Sequence, residues 1–292
     1  MLTIFSIPKA FTGHAGIIQR NALHSWIRLR PQVEVILLGS DEGTAEAARE
    51  VGVRHIPDIA TNEHGTPLLN DIFRRAEAAA AFPWMCYVNA DIVILDDFVE
   101  MLPHAQKRLA KFLYVAKRVN IDVTEPLKFS EGWQDSLKNQ ARYAGSDGPH
   151  TAIDVFAFPK GTYAQMPDFF IGRLWFDHWL IKAAIQNRLP VVDASQVAPV
   201  LHQNHDYGHV PGGYDQVWRG KEADHNFQLY GGVQHAYTLL DATHELTPEG
   251  RLRKVHFRRP IFKTKKLAWD LLVRRTAAAR HAMGLRRHRP AD

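Results

Sequence analysis

The sequence predicts an α/β domain built on a largely parallel sheet flanked by helices, with a basic helical extension after it. Three observations carry that expectation. Short apolar runs alternate with helix-period segments four times before residue 96, the pattern of a doubly wound sheet. Those runs are apolar throughout, as strands covered on both faces are. Residues 251–292 differ in composition from everything before them.

Each element has its own reason. "LTIFSIP" (2–8) reads as a strand that stops at Pro8, because proline cannot donate to a ladder. "HAGIIQRNALHSWIRL" (14–29) places Ile17, Ile18, Leu23, Trp26 and Ile27 near helical spacing. "VEVILLGS" (33–40) suits a strand, "GTAEAAREVG" (43–52) a helix closed by Gly52, and "VRHIP" (53–57) a strand. "TPLLNDIFRRAEAAAA" (66–81) follows as a helix, with Thr66 as cap and Pro67 in first position. "WMCYVNADIVIL" (84–95) carries the fourth strand, which ends at Asn89-Ala90-Asp91 and is followed at once by more apolar residues.

The second half alternates less cleanly. "KFLYVAKRVNIDV" (111–123) reads as one strand. Residues 126–150 show little apolar periodicity and predict a loop or short helix over a cleft. "TAIDVFAFPKGTY" (151–163) is a strand ending at Pro159, and "RLWFDHWLIKAAIQNRL" (173–189) is helical. "VVDASQV" (191–197) is a strand, and "VLHQNHDYGHVPGGY" (200–214) a polar loop leaving a strand near Val200. Residues 220–250 are expected to pack back on the sheet. The domain reading is 1–250 for the catalytic domain and 251–292 for the tail.

Composition narrows the class. Apolar residues make up 46% and charged residues 23% of 292, an ordinary globular balance. The one cysteine, Cys86, excludes a disulfide within the chain and fits a reducing, cytoplasmic setting. The N-terminal "MLTIFSIPKA" has no basic segment before its apolar run and reads as a strand, not a signal peptide. No stretch of about 18 apolar residues predicts a spanning helix. The net charge of +5 hides an asymmetry: residues 251–292 carry 14 Lys and Arg against 2 acidic residues, and residues 1–250 carry 22 against 29. Such a tail suits an anionic membrane surface, or a helix packed on the catalytic domain with its charges solvated. Its aromatics do not interleave with the basic residues as a nucleic-acid stacking platform requires, so no nucleic acid is expected.

Open parallel sheets bind ligands beyond the carboxyl ends of their strands. Polar residues recur there: Pro8-Lys9, Ser40-Asp41, Asn89-Ala90-Asp91 and His202. An N-x-D triplet also serves as a turn or cap. This one interrupts an apolar run, where a carboxylate is costly without a partner and can hold a divalent cation. His202 sits at a strand end and could ligate a metal; His205, Asp206 and His209 in the same loop are weaker candidates. Asp177 lies among aromatics at a helix start, where it either favours the helix N-terminus or acts as a general base.

Together, "NEHGTPLLNDIF", "YVNADIVI", "IDVFAFPKG", "IGRLWFDHWLI" and "HQNHDYGH" resemble a bacterial and plant group of GT-A fold glycosyltransferases, over roughly residues 1–235. The resemblance implies a Rossmann-like GT-A sheet, a nucleotide-diphosphate sugar donor, a glycan or glycolipid acceptor and Mn²⁺ or Mg²⁺. It implies that Asp91 is the metal-binding Asp of a D-x-D motif, with Asn89 in place of the first Asp, reaching the ribose or a metal-bound water. Pro8 and Lys9 would line the nucleotide, with Gly65, Thr66 and Asn70 near it. Asp177 falls where inverting members carry the base, and His202 where many carry a further metal ligand. Arg118 and Arg173 have no close motif match; either could neutralise phosphate or position the acceptor, with Arg118 taken on the donor side and Asp154 and Arg173 on the acceptor side. An enzyme building an envelope glycan would work at the inner face of the cell membrane.

Rival readings fit less well. A sugar-1-phosphate nucleotidyltransferase usually has a Gly-rich loop after its first strand, but "IPKAFTGHAG" has only Gly13 and Gly16. "QNHD" resembles one element of the metallophosphoesterases, whose D-x-H and G-D-x-x-D partners are absent. A Rossmann dehydrogenase would need G-x-G-x-x-G after a strand. A carbohydrate-binding module with a degenerate site would explain Asn89 without catalysis.

Overall fold

The computed structural model describes residues 1–205, 220–231 and 236–255. In chain order the helices are α1 (Gly13–Trp26), α2 (Thr44–Val51), α3 (Leu69–Ala79), α4 (Asp96–Gln106), α5 (Trp133–Ala144), α6 (Phe176–Gln186) and α7 (Lys221–Tyr230). The strands of the main sheet are β1 (Leu2–Ser6), β2 (Glu34–Leu38), β3 (Arg54–Ile56), β4 (Trp84–Val88), β6 (Leu113–Val115), β9 (Val155–Pro159), β10 (Val191–Asp193), β12 (His244–Leu246) and β13 (Leu252–Lys254). Their spatial order is β13-β12-β10-β6-β9-β4-β1-β2-β3. Neighbours run parallel except where β9 lies antiparallel between β4 and β6, and where β13 closes the edge. The predicted mixed α/β architecture with a large, mostly parallel sheet is the one observed.

Both faces of this sheet are covered, which is why its strands read as unbroken apolar runs. One face packs Leu23 and Trp26 of α1 and Phe98 and Leu102 of α4. The other packs Phe73 of α3 and Leu180 and Ile181 of α6. At its centre Phe5 meets Phe73 edge-on at 5.0 Å, and Phe73 stacks on Phe158 at 5.6 Å. Such pairs add about 0.5–1.5 kcal/mol beyond burial.

A smaller sheet sits beside the large one, ordered β5 (Ile92–Val93), β11 (Val200–Gln203), β7 (Arg118–Ile121), β8 (Ser146–Asp147). The fourth strand ends at Asn89-Ala90-Asp91 as read: β4 stays in the large sheet, and the apolar residues after the triplet enter the small one as β5. Residues 111–123 are not the one strand expected but divide in the same way into β6 and β7. In the first run both β4 and β5 are buried, and in the second a half-buried β7 follows a buried β6, so apolarity alone does not reveal the change of sheet.

Residues 126–150 contain a full helix, α5, whose Trp133, Leu137 and Ala141 pack on the small sheet. Helical spacing of these three residues marks that face. The helix contributes no residue to the cleft described below. Helix α3 starts two residues later than its Pro67 signal: Leu68 is its N-cap and no side chain caps it. Pro67 and Leu68 instead pair in extended form with Thr61 and Phe170.

Residues 1–254 form one compact unit. Strand β13 lies within the range read as tail, so the sheet continues past Gly250. The basic helical extension expected beyond residue 255, and Asp206 and His209, fall outside the described residues. Among the described residues no helix is long and apolar enough to cross a membrane.

Candidate active site

The sheet junctions bring distant polar residues to one place. Strand β4 ends at Val88, and the Asn89 amide donates to the Asp154 carbonyl (3.0 Å), which precedes β9. Strand β11 pairs antiparallel with β5, setting His202 opposite Ile92. Backbone pairing therefore delivers Asp91, Asp154 and His202 together. Beyond the strand ends lies a cleft of about 340 Å³, lined by Lys9, Asn89, Asp91, His205, Gly172 and Phe176 among others.

Asp91 is the focus. Its Oδ2 lies 2.9 Å from His205 Nε2 and 3.8 Å from His202 Nε2. Its Oδ1 is buried without a hydrogen-bond partner, and so is His202 Nδ1. Burial alone would raise the Asp91 carboxyl. The His205 hydrogen bond and the charges of His202, His205 and Lys9 outweigh it and hold the group well below the usual carboxylate range. Lys9 is lowered by burial, against the pull of Asp91; burial likewise lowers His202. One donor atom each from Asp91, His202 and His205 lie within 4.8 Å of one another. A carboxylate with an orphaned oxygen and two imidazoles is a donor set that fits a divalent transition ion.

A second network fixes the junction. Asn89 donates to Asp154 Oδ1 (2.7 Å) and accepts from the Tyr87 hydroxyl (3.0 Å). Arg118, at the start of β7, pairs with Asp154 Oδ2 at 3.1 Å, and its Nε is buried without a partner. Burial raises the Asp154 carboxyl, Arg118 pulls it down and Asp91 pushes it up again, leaving it above the usual range. Burial raises the Tyr87 phenol, and the charges of Asp154, Asp91 and Asp177 raise it further, so these three carboxylates share one neighbourhood.

Asp177 stands in the first turn of α6. The residue before the helix, Trp175, is left-handed at φ 87°. That conformation costs a bulky side chain on the order of 1–3 kcal/mol. Ring contacts at 4.9 Å to Phe227 and 5.0 Å to Tyr230, both on α7, hold it. Asp177 Oδ1 is buried without a partner, and Oδ2 lies 4.0 Å from His178 Nε2. The first turn of α6 is thus pinned while one carboxylate oxygen stays uncommitted.

Other residues singled out in the sequence lie elsewhere. Gly65 is the left-handed residue of a turn in which Asn62 Oδ1 accepts from the Thr66 amide (2.9 Å). Asn70 bonds Asp168. Arg173 is taken by Glu222 of α7, with Nη2 at 2.6 Å. Pro8 is buried behind Lys9, while Ser40 and Asp41 are exposed. None of these lines the cleft.

Sequence reasoning undervalued His205 and missed the amides beneath the site. Gln19 of α1 bonds both backbone groups of Lys9, accepting from its N–H at 2.7 Å and donating to its carbonyl at 2.9 Å. Gln203 donates to the Asp91 carbonyl (3.0 Å) and accepts from Asn21 (2.9 Å). All three amides are buried. Polar residues on the inner face of α1 and at the end of an apolar strand were the available signal.

No family model and no curated protein matches the chain. Solved structures do. One is S. aureus TarS 1–349 in complex with UDP-GlcNAc: 14% identity, TM-score 0.45, 72% of this chain and 60% of that chain. Another is M. tuberculosis glucosyl-3-phosphoglycerate synthase: 14% identity, TM-score 0.47, 81% of this chain and 82% of that one. A structure of that synthase with Mn²⁺, UDP and glucosyl-3-phosphoglycerate matches at 12% identity and TM-score 0.47, covering 81% of each chain. This chain spans about 60% of the TarS 1–349 chain. Scores at this level assign no activity and no residue roles to this chain.

Proposed function

We propose that this protein is a glycosyltransferase that moves a sugar from a nucleotide-diphosphate donor to an acceptor hydroxyl, with inversion. The observation that supports it best is the cluster of Asp91, His202 and His205 at strand ends beside Lys9, in a cleft that also receives the start of α6. Diphosphate departure needs positive charge, and acceptor attack needs a base on a separate element. Lys9, Asp91 and His205 line the cleft, and Asp177 follows Phe176, which lines it.

Asp91, His202 and His205 would hold the ion. A divalent ion there supplies Lewis-acid stabilisation of the departing diphosphate. Two imidazoles favour Mn²⁺ over Mg²⁺, which prefers all-oxygen shells. Lys9 adds a cation whose backbone Gln19 holds at both ends. Asn89, fixed by Asp154 and Tyr87, lines the cleft and would reach the donor ribose. Asp154 and Arg118 act by bracing that junction. Asp177 accepts the proton of the acceptor hydroxyl as its oxygen attacks the anomeric carbon.

A melting-temperature screen of nucleotide-diphosphate sugars with Mn²⁺, with Mg²⁺ and with chelator tests this. A ligand near 100 times its Kd stabilises by about 2.7 kcal/mol, a rise of about 5 °C for a domain of this size. The expected result is a rise with one donor nucleotide that is larger with Mn²⁺ than with Mg²⁺ and vanishes with chelator. No rise with any nucleotide sugar refutes the transferase reading, and a metal-independent rise refutes the ion's role. A rise without turnover favours the binding-module alternative.

The tail extends the proposal to the acceptor. Leu267, Trp269, Leu271, Leu272 and Val273 stand in sequence among Lys265, Lys266, Arg274, Arg275 and Arg280, a composition that suits an interfacial helix. Each basic residue near an anionic surface contributes about 1 kcal/mol. The full chain is expected to pellet with anionic liposomes at low salt, and a chain ending at Lys254 is not. Equal partitioning of the two rules out membrane attachment through the tail and the glycolipid acceptor it implies.

A further inference from the structure

A second concavity, of about 460 Å³, runs along the face of α1 opposite the cleft and shares no lining residue with it. Arg20, His24 and Arg28 recur at every fourth position and all line it. Cations at that spacing repel on a helix surface. Glu50 relieves one of them, at 3.3 Å from Arg20. Arg28 has no carboxylate partner among the described residues; it bonds the His24 carbonyl and Nδ1, each at 3.0 Å. Burial and then Arg28 hold the His24 imidazole below its usual range, so the two guanidiniums supply the fixed charge at neutral pH.

The arginines are also oriented. Arg28 lies over the Phe129 ring at 4.6 Å and Arg20 over Phe11 at 5.3 Å. Stacking fixes a guanidinium plane and leaves its edge free to donate, which suits bidentate contact with phosphate. Between them the wall is apolar, from Ile17 and Leu127, and the floor is bare helix at Gly13 and Gly16. At Gly16 the Phe11 carbonyl occupies the place of a Cβ, at 2.5 Å, so glycine lets the Phe11 backbone pack close; beside Gly13 nothing lies within 4 Å of that position and the floor is open.

We infer that this groove binds a phosphate ester bearing an apolar or aromatic group, with Arg20 and Arg28 on the phosphate and the organic part against Ile17, Leu127 and the two rings. The same chemistry could come from a soluble ester or from a lipid headgroup. Neither source involves the donor cleft, so the inference stands apart from the transfer reaction.

Calorimetric titration of the full chain with phenyl phosphate, and co-sedimentation with phosphatidylglycerol vesicles, separate the sources. For a soluble ester, phenyl phosphate saturates one site and Arg28→Gln weakens it about tenfold. For a lipid, vesicle binding falls with Arg28→Gln although the tail is intact. Glu50→Gln alters an exposed residue, cannot endanger the fold, and is expected to tighten whichever ligand binds by removing the opposing carboxylate. UDP with Mn²⁺ leaves both unchanged. Binding in both arms that ignores Arg28→Gln or Glu50→Gln, binding in neither, or competition by UDP overturns the site.

Discussion

Asp91→Asn is expected to reduce sugar transfer by about 10²–10³-fold or more and to remove the metal-dependent rise in melting temperature, with the far-UV circular dichroism unchanged. Asn has the shape of Asp but neither the charge nor the second acceptor oxygen. The native carboxylate is buried, with one oxygen facing His205 and the other unpaired. Its neighbours His205, His202 and Lys9 outweigh the burial penalty and favour the ionised form, so the charge contributes stability above the ordinary carboxylate range and loses it as the pH falls. Replacing it by a neutral amide therefore lowers the melting temperature of the metal-free protein modestly, while the ion loses its anionic ligand. Loss of the metal-dependent rise on top of that lower baseline, with the fold intact, is the expected signature. Retained turnover in the Asn variant would rule out Asp91 as the metal ligand, and a cooperative loss of structure would make it a residue of the fold.

His202→Gln and His205→Gln extend that logic to the imidazoles. The shorter contact of His205 to Asp91, 2.9 Å against 3.8 Å, makes the loop residue an equal partner of the strand residue. From sequence the two were unequal, because His202 could be placed at a strand end and His205 only in a polar loop. What joins them is the β5–β11 pairing, a contact between segments more than 100 positions apart. Periodicity reports what a segment buries, not which strand it lies beside. The alternation of elements was therefore legible, and so was the convergence of polar residues at strand ends.

The second sheet was not legible for the same reason. Val88 and Ile92 are both fully buried, one in each sheet, and an apolar run that resumes after the triplet does not report a second sheet. The interruption by Asn89 and Asp91 marked the change of sheet as well as the site. Residues such as Gly65, Thr66 and Asn70 read as donor-side from their motif, yet their hydrogen bonds go to the Asn62 turn and to Asp168. Polar turn residues satisfy backbone groups wherever a turn occurs, so residue type alone does not separate them from ligand contacts.

Asp177→Asn is the test of the base. The amide keeps the size of the side chain but carries no charge and accepts no proton. Turnover is expected to fall by about 10²–10⁴-fold, with donor affinity in the presence of Mn²⁺ changed little. The structure gives a reason to expect that separation. The metal-side donors sit on β11, on the loop after it and at the end of β4, whereas Asp177 belongs to a helix fixed by the Trp175 ring against α7. Its unpaired Oδ1 is not needed to hold either element in place. Trp175→Ala supplies the complementary measurement. It leaves the carboxylate in the protein but removes the ring contacts that offset a left-handed residue before the helix, so kcat falls while donor affinity is kept. If Asp177→Asn instead abolishes nucleotide binding, Asp177 belongs to the donor site. If it leaves kcat unchanged, its role is to favour the α6 N-terminus, and the proton goes to another group.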